Sequence, residues 1–172
     1  VIPGFIDSHV HIESSHCSPS EFSNLLIPNG VTTVVADPHE ICNCSGLDGL
    51  DYMLAASERL PLNAYFMIPS CVPATSVEHS GAIILAKDIE TRIENDRILG
   101  LGEMMDYPGV INGDKMVHDK LQVAKDYNKV IDGHSPNIYG SDLDAYAASG
   151  ILTDHECENA QELKDRVRRG MY

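Results

Sequence analysis

Two histidines separated by one residue are the first feature that could do chemistry. His9 and His11 lie in the motif Asp7-Ser8-His9-Val10-His11, at the polar end of an apolar run. Side chains two residues apart on a strand point to the same side, so both imidazoles could bind one metal ion. Alone, this spacing is a weak signal, because surface and core histidines also produce it by chance.

Three further candidate ligands stand at the ends of later apolar runs. These are Glu103, His134 and His155, each at the point where a short apolar run meets polar residues. In a barrel of parallel strands all such ends meet at one rim, where active sites lie. Shared placement at one rim favours a common site over solvated surface residues.

The predicted donor set favours particular cations. Four imidazoles and one carboxylate suit Zn(II), Fe(II) or Mn(II) better than Ca(II) or Mg(II), which prefer oxygen ligands. A carboxylate between two histidine pairs can bridge two cations, and two close cations lower the pKa of a shared water. The sequence therefore predicts a site for two divalent metal ions.

Short apolar runs that alternate with helix-like stretches organise the chain. They recur at intervals of roughly 20 to 35 residues, close to the ~30 residues of one βα unit. Strands that alternate with helices in this way form a parallel sheet. The predicted strands are Gly4–Val10, Thr32–Ala36, Ala64–Ile68, Ile98–Leu101, Lys129–Ile131 and Ile151–Thr153.

Capping residues and apolar spacing predict the helices between these strands. Ser18-Pro19-Ser20-Glu21 combines a capping serine, a proline at the first helical position and a glutamate three residues after the cap. Asn29-Gly30 ends that helix. The other predicted helices are Leu47–Leu60, Asp88–Glu94, Asp114–Tyr127, Ser141–Ser149 and Asn159–Arg169.

These elements predict an α/β fold, either an open sheet or strands 1 to 6 of a (β/α)8 TIM-type barrel with their helices. A dinucleotide-binding Rossmann fold is the structural alternative. Its glycine fingerprint is missing, because Met105 occupies the third glycine position after Gly100 and Gly102.

Charge and composition argue against two kinds of partner. The 172 residues carry a formal net charge of −14, which repels phosphate backbones, so we expect no nucleic acid partner. No apolar run reaches the ~20 residues that span a bilayer, and we expect no membrane partner. Five cysteines without a C-x-x-C motif favour a reducing, cytoplasmic environment.

Several longer motifs resemble the adenine deaminase branch of the amidohydrolase superfamily. Pro3-Gly4-Phe5-Ile6-Asp7-Ser8-His9-Val10-His11 resembles the opening strand of the superfamily. The resemblance continues in order to the end of the chain. The further motifs are His11-Ile12-Glu13-Ser14-Ser15, Ala36-Asp37-Pro38-His39-Glu40-Ile41, Pro69-Ser70-Cys71-Val72-Pro73-Ala74-Thr75, Leu101-Gly102-Glu103-Met104-Met105, Tyr107-Pro108-Gly109-Val110, Asp132-Gly133-His134-Ser135-Pro136 and Asp154-His155-Glu156.

The resemblance implies hydrolytic deamination of adenine to hypoxanthine and ammonia by a metal-bound hydroxide. It implies two divalent metal ions, with Mn(II) or Fe(II) favoured and Zn(II) as the alternative. The implied metal ligands are His9, His11, Glu103, His134 and His155, with Glu103 bridging. It also implies purine salvage or adenine catabolism, and we expect a homo-oligomer for the full-length protein.

Three residues are expected to take part in catalysis. His155 could polarise the substrate as well as bind the second metal. His39 and Glu40 follow the second strand at the same rim and could contact adenine or carry protons. Asp37 is expected to anchor the loop, and Asp154 to orient His155.

The resemblance also implies one metal-dependent amidohydrolase barrel domain over residues 1–172, truncated at both ends. We expect little activity from this piece alone, because the superfamily's aspartate on strand eight has no counterpart in it. Two alternatives stay open. One is another amidohydrolase that acts on a cyclic amide or an acetylated amino sugar, and the other is a metal-binding fragment without catalysis.

Overall fold

A curled sheet of five parallel strands is the frame of the protein. The computed structural model describes residues 1–75 and 77–172. Within these residues the sheet order follows the chain, and every neighbouring pair of strands is parallel. The sheet forms half of a barrel, which confirms the predicted α/β, partial TIM-type fold. The strands are β1 (Phe5–Val10), β2 (Val31–Ala36), β3 (Asn63–Ile68), β4 (Ile98–Met104) and β5 (Val130–Gly133).

Eight α-helices accompany the strands in the described part of the chain. None of them is both long and apolar enough to span a membrane. Two short helices that start just after β2 and β4 were not expected from the sequence, because six or seven residues carry little periodicity. The helices are α1 (Pro19–Leu26), α2 (His39–Ser45), α3 (Leu47–Ala56), α4 (Ala86–Glu90), α5 (Tyr107–Asn112), α6 (Lys115–Asp126), α7 (Gly140–Ala148) and α8 (Ala160–Val167).

The predicted capping residues bound two of these helices. Ser18 Oγ accepts a hydrogen bond from the Glu21 amide (3.4 Å) at the start of α1. A short 3₁₀ turn follows α1, and Gly30 ends it with a φ of 88°, a conformation that glycine adopts without steric cost. Asp114 caps α6 by accepting from the Met116 amide (2.8 Å).

The predicted sixth strand, Ile151–Thr153, does not have strand structure. The Leu152 amide donates to the Ile131 carbonyl of β5 (3.1 Å), and the Leu152 carbonyl accepts from the Tyr172 amide (2.9 Å). These bonds hold the segment beside β5, but they are too few to form a continuous ladder. The segment therefore still carries the residues after it to the same end of the sheet.

The two faces of the sheet differ in burial. Val34 and Leu101 are fully buried within the core between sheet and helices. Leu99 and Val130 instead line the concave face, where a cavity of about 350 Å³ opens. Site residues at the carboxyl ends of the strands border the same cavity, so the curl of the sheet places an apolar floor beneath them.

A buried ion pair joins α8 to the segments on either side of α7. Arg166 is 1% exposed, and its Nε donates to Asp154 Oδ2 (2.7 Å). Its guanidinium also donates to the Ser135 carbonyl (2.5 Å). Burial by itself raises the pKa of Asp154, but hydrogen bonds from Ser135 and Arg166 outweigh burial and lower it. The pair fixes the backbone next to two candidate site histidines.

We predict that Arg166→Met lowers the free energy of unfolding by about 3 kcal/mol or more, because it leaves the Asp154 carboxylate buried without its cation. Urea unfolding followed by circular dichroism measures the change. The control is Arg168→Met, whose side chain is 69% exposed and faces Asp165 at 3.4 Å. This control should change stability by less than about 0.5 kcal/mol, and equal losses in both variants would contradict the role of the pair.

Candidate metal centre

The first histidine pair lies at the end of β1, with both rings on the same side of the strand. Nε2 of His9 lies 3.2 Å from Nε2 of His11, and the ring centroids are 4.9 Å apart. This arrangement follows from the two-residue repeat of an extended strand. Two imidazole nitrogens therefore converge on one point at the rim.

The hydrogen-bond partners of the two Nδ1 atoms indicate which ring nitrogens carry hydrogen. Nδ1 of His11 lies 2.7 Å from the Asp37 carbonyl oxygen, which only accepts, so this Nδ1 carries the hydrogen. Nδ1 of His9 lies 3.0 Å from the carboxylate of Asp132 and donates in the same way. In the neutral form, the two rings direct Nε2 lone pairs at each other. A cation between them removes that repulsion, so the pair fits a metal ion.

Glu103, at the end of β4, lies at the centre of the site and is 5% exposed. Its Oε1 lies 3.4 Å from His11 Nε2. Its Oε2 lies 2.8 Å from His134 Nδ1, 3.2 Å from His155 Nε2 and 4.0 Å from His9 Nε2. One oxygen of the carboxylate thus faces His11, while the other faces His134, His155 and, at a longer distance, His9.

The electrostatics of Glu103 follow from these contacts. Burial raises the pKa of Glu103, but hydrogen bonds from His134 and His155 and the nearby charge of His39 outweigh it, so the pKa lies far below its ordinary value. The same hydrogen bond to Glu103 raises the pKa of His134. Glu103 is therefore held as a carboxylate, the form that binds cations.

Asp37, at the end of β2, fixes the backbone of Glu103. Its fully buried side chain accepts a hydrogen bond from the Glu103 amide at Oδ2 (2.8 Å). Gly102 makes this approach feasible, because a Cβ there would lie 2.2 Å from the same oxygen. This placement agrees with the expectation that Asp37 is an anchor and does not act directly in the reaction.

His39 and Glu40, at the start of α2, lie at the same rim. Nδ1 of His39 is 2.6 Å from Asp37 Oδ1 and 3.5 Å from Glu103 Oε1, without hydrogen-bond geometry. Its Nε2 is buried and has no hydrogen-bond partner in the described residues. Oε2 of Glu40 lies 3.6 Å from His11 Nδ1, and Oε1 of Glu40 accepts a hydrogen bond from Ser14 Oγ (2.5 Å).

Backbone and ring contacts hold His134 and His155 in place. The His134 amide donates to the Tyr146 hydroxyl (2.9 Å), which in turn donates to the Met104 carbonyl (2.8 Å). This buried hydroxyl ties the end of β4 to the end of β5. The His155 ring stacks on the His9 ring, with centroids 3.6 Å apart. Residues from five separate segments therefore meet in one cluster.

Four groups of side chains in the described residues have ligand atoms close enough to hold an ion. Within each group the ligand atoms lie within 4.8 Å of one another. Three of the groups contain Glu103, and two of these three together contain all five sequence-predicted metal ligands. The groups are His9, His11 and Glu103; Glu103, His134 and His155; His9, Asp132 and His155; and Asp37, His39 and Glu103.

The structure corrects one expectation and adds one residue. Asp154 does not orient His155, because its carboxylate turns to Ser135 and Arg166 instead. Asp132 faces His155 Nδ1 at 3.7 Å. The sequence carried a signal for Asp132, since it stands two residues before His134, the same spacing that singled out the first pair.

Comparison with known proteins identifies relatives over nearly the whole chain. The sequence model of the amidohydrolase family matches residues 1–169. The chain is 53% identical over 172 residues to an adenine deaminase of Clostridium acetobutylicum and 54% identical over 172 residues to adenine deaminase 2 of Carboxydothermus hydrogenoformans. It is 58% identical over 170 residues to adenine deaminase 2 of Desulfotalea psychrophila. These matches cover 99–100% of the chain but only 30% of each relative.

We predict that Glu103→Gln weakens the binding of two equivalents of Mn(II), each by at least about 100-fold, because the shared negative oxygen pair is lost. His134→Asn should weaken only one equivalent, and Glu94→Gln on the exposed surface neither. Isothermal titration calorimetry separates these cases. Loss of a single equivalent in Glu103→Gln would show that Glu103 does not serve both groups.

Proposed function

Because the chain belongs to the amidohydrolase family, we propose that it forms the metal-binding rim of a hydrolase that converts adenine and water to hypoxanthine and ammonia. The relatives named adenine deaminase support this choice of substrate. The observation that carries the proposal is the placement of Glu103 between the histidine pair of β1 and the two later histidines.

The residues fit two divalent ions. His9, His11 and Glu103 would hold one ion, and Glu103, His134 and His155 would hold the other. Mixed imidazole and carboxylate ligands support Mn(II) or Fe(II), with Zn(II) as the alternative. When bound, the ions would polarise water and stabilise the negative charge that develops on the substrate.

The chain's own side chains would move the protons of the reaction. A bond from water oxygen forms at C6 of adenine, and the bond from C6 to the amine nitrogen breaks. One proton of the water ends on a ring nitrogen and the other on the departing amine, which leaves as ammonia. His39 offers a buried, unpartnered Nε2 for this transfer, and Glu40 offers a half-exposed carboxylate at the rim. His155, beside Glu103, would polarise the substrate as well as bind metal.

We place the protein in the cytoplasm in a purine salvage or adenine-degrading role. Five free cysteines support a reducing compartment. Homo-oligomer formation by the full-length protein stays a prediction.

A substrate panel tests the proposed function. The full-length protein, loaded with Mn(II) or Fe(II), is given adenine, a dihydropyrimidine or an acetylated amino sugar, and the release of ammonia, ring-opened product or acetate is followed. We expect ammonia and hypoxanthine from adenine in equal amounts. Turnover of a cyclic amide or an acetylated sugar, with none of adenine, would favour another amidohydrolase activity.

We predict that, in the full-length protein, His39→Ala and Glu40→Gln each lower kcat for adenine by about 100-fold or more, because each removes a group that carries protons. Metal content, measured by atomic emission, should stay at the wild-type value. The surface variant Glu94→Gln should keep both values. Wild-type kcat in either site variant would remove that residue from the proton path.

A further inference from the structure

Asp132 faces one histidine from each of the two groups proposed to hold the metal ions. It belongs to β5 and is 9% exposed. Its Oδ2 is 3.0 Å from His9 Nδ1 and 3.7 Å from His155 Nδ1. The same oxygen of one carboxylate therefore faces both rings.

The stacking of the two rings explains this shared contact. Their planes are 20° apart at a centroid distance of 3.6 Å, so the rings run side by side. Both Nδ1 atoms point to Asp132, and both Nε2 atoms point to Glu103 Oε2, at 4.0 Å from His9 and 3.2 Å from His155. Each ring thus lies between the carboxylate of Asp132 and the carboxylate of Glu103.

The other oxygen of Asp132 fixes the orientation of the carboxylate. Oδ1 accepts a hydrogen bond from the Gly133 amide (3.0 Å) and another from the Thr153 hydroxyl. Thr153 stands two residues before His155, in the segment that packs beside β5. Asp132 is therefore attached to its own strand and to the segment that delivers the second histidine.

We propose that Asp132 is a positioning residue that couples the two metal-binding groups, because one carboxylate sets the tautomer and ring orientation of His9 and His155 together. The inference rests on the metal-binding part of the proposed function. A neutral imidazole that binds a cation through Nε2 keeps its hydrogen on Nδ1, and a carboxylate that accepts this hydrogen makes the ring a better ligand. Asp132 is that acceptor for His9 at 3.0 Å, and it is the carboxylate that faces His155 Nδ1 at 3.7 Å.

These contacts also favour an orienting role for Asp132 over a role as a direct metal ligand. Asp132, His9 and His155 form a group whose atoms lie within 4.8 Å of one another. Binding an ion there through Nδ1 would put the hydrogen of each ring on Nε2, which would then donate toward Glu103 and could not bind a cation. A role for Asp132 as hydrogen-bond acceptor leaves both Nε2 atoms free to bind cations, whereas a role as metal ligand does not.

The test compares Asp132→Asn with Asp7→Asn in the protein titrated with Mn(II). Asp7 is exposed and, among the described residues, accepts only from the His9 amide (3.3 Å), so its variant removes the same charge close to His9 without touching a ring. We expect Asp132→Asn to weaken both Mn(II) equivalents by about 10- to 100-fold. Asp7→Asn should change each by less than about 2-fold.

A spectroscopic readout is independent of catalysis. Imidazole nitrogen NMR of the protein loaded with diamagnetic Zn(II) should show His9 and His155 with hydrogen on Nδ1, and Asp132→Asn should shift both rings away from this state. Thr153→Val, which removes only the hydroxyl that holds Asp132, should weaken both Mn(II) equivalents in the same direction by a smaller factor. Circular dichroism confirms that each variant folds.

The outcomes separate this inference from the proposed function. Weakening of one equivalent alone, or unchanged affinity and unchanged tautomers in Asp132→Asn, overturns the coupling role. Loss of a third equivalent in that variant identifies Asp132 as a ligand instead and also overturns it. A full-length wild-type protein that binds Mn(II) at two sites but does not deaminate adenine overturns the substrate proposal and leaves the coupling role supported by the titration. A wild-type protein that binds no divalent ion overturns both.

Discussion

A carboxylate buried among imidazole rings is the constraint on which the site depends. Glu103 is removed from water, and a buried charge is costly unless hydrogen bonds or opposite charges compensate it. His134 and His155 compensate one oxygen, while His11 and His39 lie beside the other. The same contacts that stabilise the carboxylate bring ring nitrogens from separate segments to one place. Cation binding would use this convergence directly.

The surrounding backbone contacts keep the cluster in position. Asp37 holds the Glu103 amide, and the Tyr146 hydroxyl joins the ends of β4 and β5. Arg166 and Asp154 fix the segments that carry the last two histidines. Each contact joins different elements of the fold. The parallel sheet supplies the common rim, and these buried polar contacts set the finer geometry that coordination requires.

Residues that depend on local rules could be predicted from the sequence. The spacing of His9 and His11 and the position of Glu103 at a strand end follow from strand periodicity and from the shared rim of parallel strands. The residue that contacts His155 could not be identified from the sequence. Proximity in the chain favoured Asp154 over Asp132, but the fold turns the Asp154 side chain to Arg166. The strand predicted after β5 failed for a related reason, since apolar residues alone do not supply a full ladder of partners. The short helices α2 and α5 were too brief for a periodic signal.

The central claim is that one carboxylate is shared by two cations. Anomalous diffraction at the manganese edge, from crystals of the protein grown with Mn(II), tests it most directly. The account predicts two peaks in contact with the Glu103 carboxylate, one beside the β1 histidines and one beside His134 and His155. A single peak, or peaks that do not touch Glu103, would contradict it.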